Sequence, residues 1–572
     1  MPNQTTAALL LQSLQQLGVE FLFANLGSDH PPLLEALEQA REQGRALPRL
    51  ITCPNEMVAL SAAHGCALAG GRPQAVIVHV ECGTQALAGA VHNAARGRVP
   101  VLIFAGASPL TQEGELRGSR NEFIHWIQDV HDQHGIVRGY MKYDYEIRVG
   151  HNLPQVLARA LRIACSAPQG PVYLSAAREV LEQEVPGLDA QPLLARPLEP
   201  LALAPAMLGE LADALCEARS PLIVSSHLGR RPEAVRALQR LSTRMAIPVC
   251  ESAPSCLNLP TDDPMYLGNQ WNQPVQNPLL AEADVVLVLD SDVPWIPTVN
   301  RPRRDARIFH IDVDALKQAM PLWYLGAERS AQADALCALE QLDAELQRRP
   351  LPLQAIEQRR ARIAALHARR DQELAALEAR PGDGGITPEY LCACLRAHVD
   401  ADTIVCNEGI SNYHTVINHL RLTEPGSLLA SGGGSLGWSG GAAFGVGLMR
   451  PGSKVIALCG DGSYLFSVPS SVHWMARRYA APFLTVIFNN GGWKSPKLSA
   501  LALHAEDAVG RAEDLGMSFE PAPDHAAIAA AAGGAWGRRI GRADEVEPAL
   551  RDAFAALAEG RAAVLDVQVG AL

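Results

Sequence analysis

The sequence is poor in aromatic residues, at 5%, has no cysteine pair at metal-knuckle spacing, no excess of positive charge and no long apolar run suited to lipid. Its twelve cysteines are scattered, and Cys392 and Cys394 have one residue between them where metal knuckles use two. They read as reduced thiols packed as small hydrophobes. With 49 Lys+Arg against 61 Asp+Glu the net charge is −12, which disfavours a nucleic-acid backbone as partner. The longest uncharged stretch, Pro425 to Met449, carries nine glycines in 25 residues, too many for a membrane helix. The opening MPNQTTAALLLQSLQQLGVE lacks a basic region and reads as an amphipathic helix, so the expected compartment is the cytoplasm. What is present is 48% hydrophobic and 19% charged, which excludes a largely disordered chain.

Short apolar runs fit for buried parallel strands alternate with helical patterns. They fall in three groups: 21–27, 75–80 and 99–106; 221–226, 283–291 and 306–313; and 402–409, 453–462, 482–490 and 562–569. This alternation predicts an α/β protein of three doubly wound parallel-sheet domains. Pro-rich Leu188 to Pro205 reads as a linker, and QRRPLPLQ leads into a helical stretch, Ala355 to Arg380, that stops at Pro381-Gly382. The expected domains are therefore 1–185, 186–346 and 385–572, with a helix-bearing linker at 347–384.

Gly460-Asp461-Gly462 follows the strand VIALC, and Asn489-Asn490 follows the strand PFLTVIF. Both lie where open α/β sheets bind ligands, beyond the carboxyl ends of strands. A carboxylate and an amide oxygen there, with glycines admitting close backbone approach, suit Mg²⁺ holding a diphosphate. The same residues also suit two ordinary turns. Upstream, residues 432–437 form a G-x-G-x-x-G, with Asp461 standing 24 residues further on as a would-be ribose acid. A nicotinamide-dependent oxidoreductase is thus a second reading, one that leaves Asn489-Asn490 unexplained.

The GDG…NN pattern resembles the thiamine-diphosphate signature of the pyruvate decarboxylase, acetolactate synthase and benzoylformate decarboxylase superfamily. The resemblance extends over almost the whole chain. Asn55-Glu56-Met57-Val58-Ala59, followed by Ser61-Ala-Ala-His-Gly65, is similar to that superfamily's activating-glutamate helix. The resemblance implies a pyrimidine-binding, a central and a diphosphate-binding domain, in that order. It implies that Glu56 bonds the coenzyme's aminopyrimidine and stabilises its imino tautomer, that Leu436 wedges the coenzyme into a V, and that the Gly434 carbonyl orients its 4′-amino group. Asp461, Asn490 and the carbonyl of Gly492 would hold Mg²⁺, with Gly462, Ser463 and Ser411 along the diphosphate.

Further segments resemble the benzoylformate decarboxylase branch. Ala24-Asn-Leu-Gly-Ser28 is similar to its N-P-G-S segment, with Leu26 in place of proline, and Val78-His79-Val-Glu-Cys-Gly83-Thr84 to its L-H-S-A-A-G-T. These place Ser28 at the substrate carboxylate and His79 as a proton relay, a task suited to an imidazole near neutral pH. Trp126-Ile-Gln128 instead resembles the F-Q-E of acetolactate synthases, which sets Gln128 near the reacting centre. No second active-site histidine is found in DSDVPWIPTVNRP, and Gly-Gly-Trp-Lys494-Ser-Pro-Lys497 departs from the synthase pattern. Lys494 and Lys497 are candidate partners for a substrate carboxylate or acyl-CoA phosphate, and His30 for the substrate mouth. Arg230-Arg231 and Arg301 to Arg304 lack a phosphate-cradling glycine loop and read as solvated.

The resemblance implies a thiamine-diphosphate- and Mg²⁺-dependent decarboxylase or carboligase. Its substrates would be 2-oxo acids or related carbonyl compounds, with an aldehyde or ketone acceptor in the carboligase case, and its route a C2 carbanion and enamine. A 2-hydroxyacyl-CoA lyase is the alternative within the superfamily. It further implies a homodimer or homotetramer with sites shared between subunits.

Overall fold

The computed structural model describes residues 3–187, 193–382, 384–512 and 515–570, so the first residues of the linker expected at Leu188–Pro205 and residue 383 of the second linker lie outside it. Three six-stranded sheets, parallel throughout, organise the described residues. In spatial order the first holds Arg49–Thr52, Phe21–Ala24, Gln74–Val78, Val101–Ala107, Val172–Ala177 and Tyr143–Ile147. The central one holds Tyr266–Gln270, Val249–Ser252, Pro221–Ser225, Val285–Leu289, Arg307–Asp312 and Arg329–Gln332. The third holds Leu428–Leu429, Thr403–Glu408, Lys454–Gly460, Leu484–Asn489, Ala563–Gln568 and Trp536–Ile540. Strands such as Val285–Leu289 and Gln74–Val78 are buried along their whole length, as continuous apolar runs between two helical layers must be.

In each sheet two neighbouring strands lead the chain off in opposite directions, and that switch leaves a crevice beyond the strand ends. In the first sheet it lies between Phe21–Ala24 and Gln74–Val78, and so places Ser28 and His79 together. In the third it lies between Thr403–Glu408 and Lys454–Gly460, beside Asp461.

In the central sheet the matching crevice is filled with charge. Lys317, fully buried, reaches Asp292 and Asp312 at 2.6 Å each, and Arg98 of the first unit pairs with the same two carboxylates at 2.6 and 3.0 Å. Arg230 differs from its expected solvated state: it is only partly exposed and faces this cluster, and burial followed by the Arg98 charge pushes its pKa down. Arg303 is exposed and paired with Asp305, as a solvated arginine should be.

Two helices weld the first unit to the third. The helix Glu56–Gly70 and the helix Trp438–Met449 present small residues to each other. A Cβ on Gly445 would stand 2.0 Å from the Ala62 carbonyl oxygen, and one on Gly65 2.3 Å from that of Ala442. One apolar core runs through both units, with Val58, Ala62, Ala442 and Phe444 in it. Among the described residues, no helix is long and apolar enough to cross a membrane.

Candidate active site

Glu56 opens its helix because Asn55, in extended backbone, accepts the Val58 N–H at 3.1 Å and caps the first turn. The Glu56 side chain is half-buried, and its carboxylate accepts no hydrogen bond from any described residue. Its Oε1 lies 3.5 Å from where a Cβ on Gly83 would stand. The first half of the site thus offers an uncommitted carboxylate against bare backbone.

Around it the structure gathers the other expected residues of the first unit. His79 follows the strand Gln74–Val78; its Nε2 is 2.9 Å from Gln128 Oε1 and its Nδ1 2.5 Å from Asp29 Oδ1. Burial alone would lower its pKa, but the Asp29 contact, then Gln128 and Glu56, outweigh this and raise it. Ser28 Oγ accepts from His125 Nε2 at 3.2 Å, since His125 Nδ1 already faces the Asn121 and Glu122 amides. His30 is not at the mouth: it is fully buried, and its Nδ1 accepts the Gly27 N–H at 3.0 Å. Pro31 and Pro32 start the next helix directly after it, with His30 at the helix's N-cap position.

The second half lies at the third sheet's crevice. Asp461 starts the helix Asp461–Phe466 and is 2% exposed, with Asn490 at 7%. Asp461 Oδ2 and Asn490 Oδ1 are both buried without a hydrogen-bond partner. Burial raises the Asp461 pKa, while the Gly462 amide, the His525 charge and the Gly491 and Gly492 amides pull the other way, which locates the carboxylate against the 490–492 loop. Two unsatisfied buried oxygens facing one loop cost several kcal/mol unless a ligand binds them, on the order of 1–3 each. A hard divalent cation is the group this donor chemistry suits. Gly492 has φ +154°, and a Cβ there would meet the Met517 carbonyl oxygen at 2.1 Å, so only glycine holds the loop in this course. Among the described residues no cluster of three His, Cys, Asp or Glu offers a competing metal site.

The loop of residues 432–437 is held from both sides. Glu408 accepts the N–H groups of Gly437, Trp438 and Ser439 at 2.6, 3.2 and 2.8 Å, which anchors the loop's exit into the Trp438 helix. Asn93 brackets Ser435, accepting its N–H at 3.1 Å and donating to its carbonyl at 2.8 Å, and the Gly434 N–H donates to His92 Nε2 at 3.1 Å. Leu436 is half-buried and Gly434 exposed between these anchors. Ser463 is buried beside Asp461, Ser411 is exposed on the 410–412 turn, and Gly462 lies under Trp493, whose ring a Cβ would strike at 2.3 Å. Lys494 begins the helix Lys494–His504, which also carries Lys497 and buries none of its residues.

Sequence reasoning missed Asp29, His125, Glu408 as an anchor, and Asp566, which bonds Asn489 and His525 at 2.8 and 3.0 Å beneath the 489–492 loop. Asp566 carried a legible signal, a lone acid in the apolar strand AVLDVQ. Asp29 was hidden by its polar neighbourhood, SDHPP.

Residues 4–136 match the thiamine pyrophosphate enzyme N-terminal TPP binding domain, 208–319 its central domain and 409–567 its C-terminal TPP binding domain. The benzoylformate decarboxylase of Pseudomonas aeruginosa is 27% identical over 89% of this chain and 90% of its own. The large subunit of acetolactate synthase isozyme 1 of Escherichia coli is 25% identical over 81% and 78%. The solved structure of the Rhodococcus jostii thiamine diphosphate-dependent 4-hydroxybenzoylformate decarboxylase superposes over both whole chains with TM-score 0.78 at 22% identity, and so shares the fold. With all three domain profiles matched in order across most of its length, this chain belongs to the thiamine pyrophosphate enzyme family.

Proposed function

We propose that the protein is a thiamine-diphosphate- and Mg²⁺-dependent decarboxylase or carboligase of 2-oxo acids. The observation that carries this is the pair of buried, unpartnered oxygens, Asp461 Oδ2 and Asn490 Oδ1. With the Gly492 carbonyl they form the donor set for Mg²⁺, and Ser411, Gly462 and Ser463 adjoin the diphosphate. The Gly492 carbonyl accepts the Lys494 N–H at 3.0 Å, which leaves its second lone pair for the cation. Glu56 serves the aminopyrimidine, with Leu436 and Gly434 shaping its seat. When bound, the coenzyme supplies a carbon nucleophile that adds to a carbonyl and holds the electron pair released with CO₂.

The remaining roles belong to side chains. Ser28 receives the substrate carboxylate, with its hydroxyl oriented by His125. His79 moves a proton through Nε2, the ring nitrogen on the Gln128 side. Gln128 orients that proton and lines the acceptor space. We read residues 1–185, 186–346 and 385–572 as the three domains, joined through 347–384.

The face beside Gln128 exposes Phe123 and Ile127 at 79% and 75%, which supports a homodimer or homotetramer in which a second copy covers that face. The test of function is turnover: with Mg²⁺ and coenzyme, a panel of 2-oxo acids with and without an aldehyde is assayed by mass spectrometry. Product from at least one acid is expected, falling about 10²–10⁴-fold in Glu56→Gln. No product from any acid, or equal rates in the folded variant, would refute the reading.

A further inference from the structure

Asp29 is 1% exposed at the first sheet's crevice, and both its oxygens are committed. Oδ1 stands 2.5 Å from His79 Nδ1, and Oδ2 accepts the Val80 N–H at 3.2 Å. The slot is made by two glycines. A Cβ on Gly106 would lie 1.5 Å from Asp29 Oδ2, and one on Gly27 2.1 Å from His79 Nδ1. No other residue at either position leaves the carboxylate and the ring in contact.

Val80 shows what the arrangement costs. Its φ is +29°, a left-handed backbone in which a β-branched residue is strained by about 1–3 kcal/mol. The amide of this strained residue is the one that Asp29 grips. A turn of this kind persists where surrounding contacts over-determine it, and here they aim an imidazole.

The far side of the ring is held as well. His79 Nε2 faces Gln128 Oε1 at 2.9 Å, and the Gln128 amide is oriented by its other end, with Nε2 at 3.5 Å from Cys82 Sγ. Cys82 in turn donates to Glu81 Oε1 at 2.9 Å. Both ring nitrogens of His79 therefore face acceptor oxygens, an arrangement that only the doubly protonated ring satisfies. We propose that Asp29 is the positioning residue of this site: it fixes one proton on Nδ1 of His79 and leaves Nε2–H as the proton the site delivers.

The groups around the ring support this balance. Asp29 and His30 act on it from the turn after Phe21–Ala24, Glu56 from its helix start and Gln128 from the end of the helix Ile124–Ile127; behind Gln128 lie Cys82 and Glu81 of the helix Val80–Ala86, and His125 lies on the Asp29 side beside Arg178. Burial lowers the His30 pKa, and its Nδ1 accepts the Gly27 amide; that nitrogen stands 3.1 Å from Asp29 Oδ1, farther than His79 Nδ1 at 2.5 Å, so the shorter contact of Asp29 is the one to His79. On transfer the Nε2–H bond breaks and its electron pair stays on the ring. The neutral imidazole keeps Nδ1–H on Asp29 and regains its proton from solvent.

The delivery of a proton to substrate rests on the proposed function, whereas the ionisation of His79 does not, and the experiment separates them. Holoenzyme and Asp29→Asn are treated with diethyl pyrocarbonate across pH, and modification of His79, which requires the neutral ring, is read by mass spectrometry. The half-maximal pH is expected to shift downward in Asp29→Asn, and the alkaline limb of kcat to shift with it while KM stays within about threefold and kcat falls roughly a hundredfold. If Asp29→Asn does not fold, the pair Val80→Gly and Asp29→Asn/Val80→Gly replaces it, since glycine takes the left-handed turn without Asp29's grip. An unshifted His79 midpoint would overturn the proposal. A shifted midpoint in a protein that turns over no 2-oxo acid would uphold Asp29's role and overturn the function.

Discussion

The Asn489 side-chain amide donates a 2.8 Å hydrogen bond to the fully buried Asp566 carboxylate, while its own oxygen accepts the Gly491 N–H at 3.0 Å. Asn489 is thus a strut between a core strand and the loop that carries Asn490 and Gly492. Asp566→Ala is expected to weaken Mg²⁺-dependent coenzyme binding by roughly 10–100-fold, as loss of a ligand's supporting partner does. Calorimetric titration of the coenzyme at fixed Mg²⁺ measures it, and unchanged affinity in a folded variant would deny the strut a role.

The contact between the helices of Glu56 and Trp438 leaves no room at Gly445, where a Cβ would meet the Ala62 carbonyl oxygen at 2.0 Å. Gly445→Ala must push backbone from backbone, and overpacking of this kind costs about 1–3 kcal/mol. Urea unfolding followed by circular dichroism should show the lower midpoint. A midpoint equal to wild type would mean the helices part freely.

Glu378, the residue that ends the helix Leu353–Leu377, accepts hydrogen bonds from Arg396, His419 and Arg421 at 2.9, 3.0 and 3.0 Å. Burial pushes its pKa up, but the hydrogen bonds from Arg396 and His419 prevail and hold it at about 2. A depressed native carboxyl stabilises fully above its unfolded pKa of roughly 4.3, and the contribution is lost as pH falls from there through the native value. Glu378→Gln should therefore lose stability at pH 7 but little at pH 2, as read by urea midpoints at the two values. An equal deficit at both would assign the loss to packing instead of charge.

The strand grouping and the Asp461–Asn490 pair were legible in sequence because both are local. Continuous apolar runs announce buried strands, and acids or amides placed just past them announce sheet-end sites. Asp29 and Glu408 were not, and Asp566 showed only as a lone acid in an apolar strand without its role, because each acts through a partner distant in the chain: His79 lies 50 residues from Asp29, and Asn489 lies 77 from Asp566. His30 misled because a polar tip reads as exposed, whereas Pro31 and Pro32 begin a helix directly after it and the ring is buried. Arg230 misled in the same way, since acids brought together at the ends of separate strands cannot be seen from its own segment.

The central claim is that Glu56 and the Asp461–Asn490 loop serve one coenzyme. A crystal structure of the protein with thiamine diphosphate and Mg²⁺ tests it most directly. The account predicts the cation at about 2.0–2.1 Å from Asp461 Oδ2 and Asn490 Oδ1, with a Glu56 carboxylate from one or other subunit bonded to the pyrimidine ring. Coenzyme bound away from either group, or not bound at all, would contradict it.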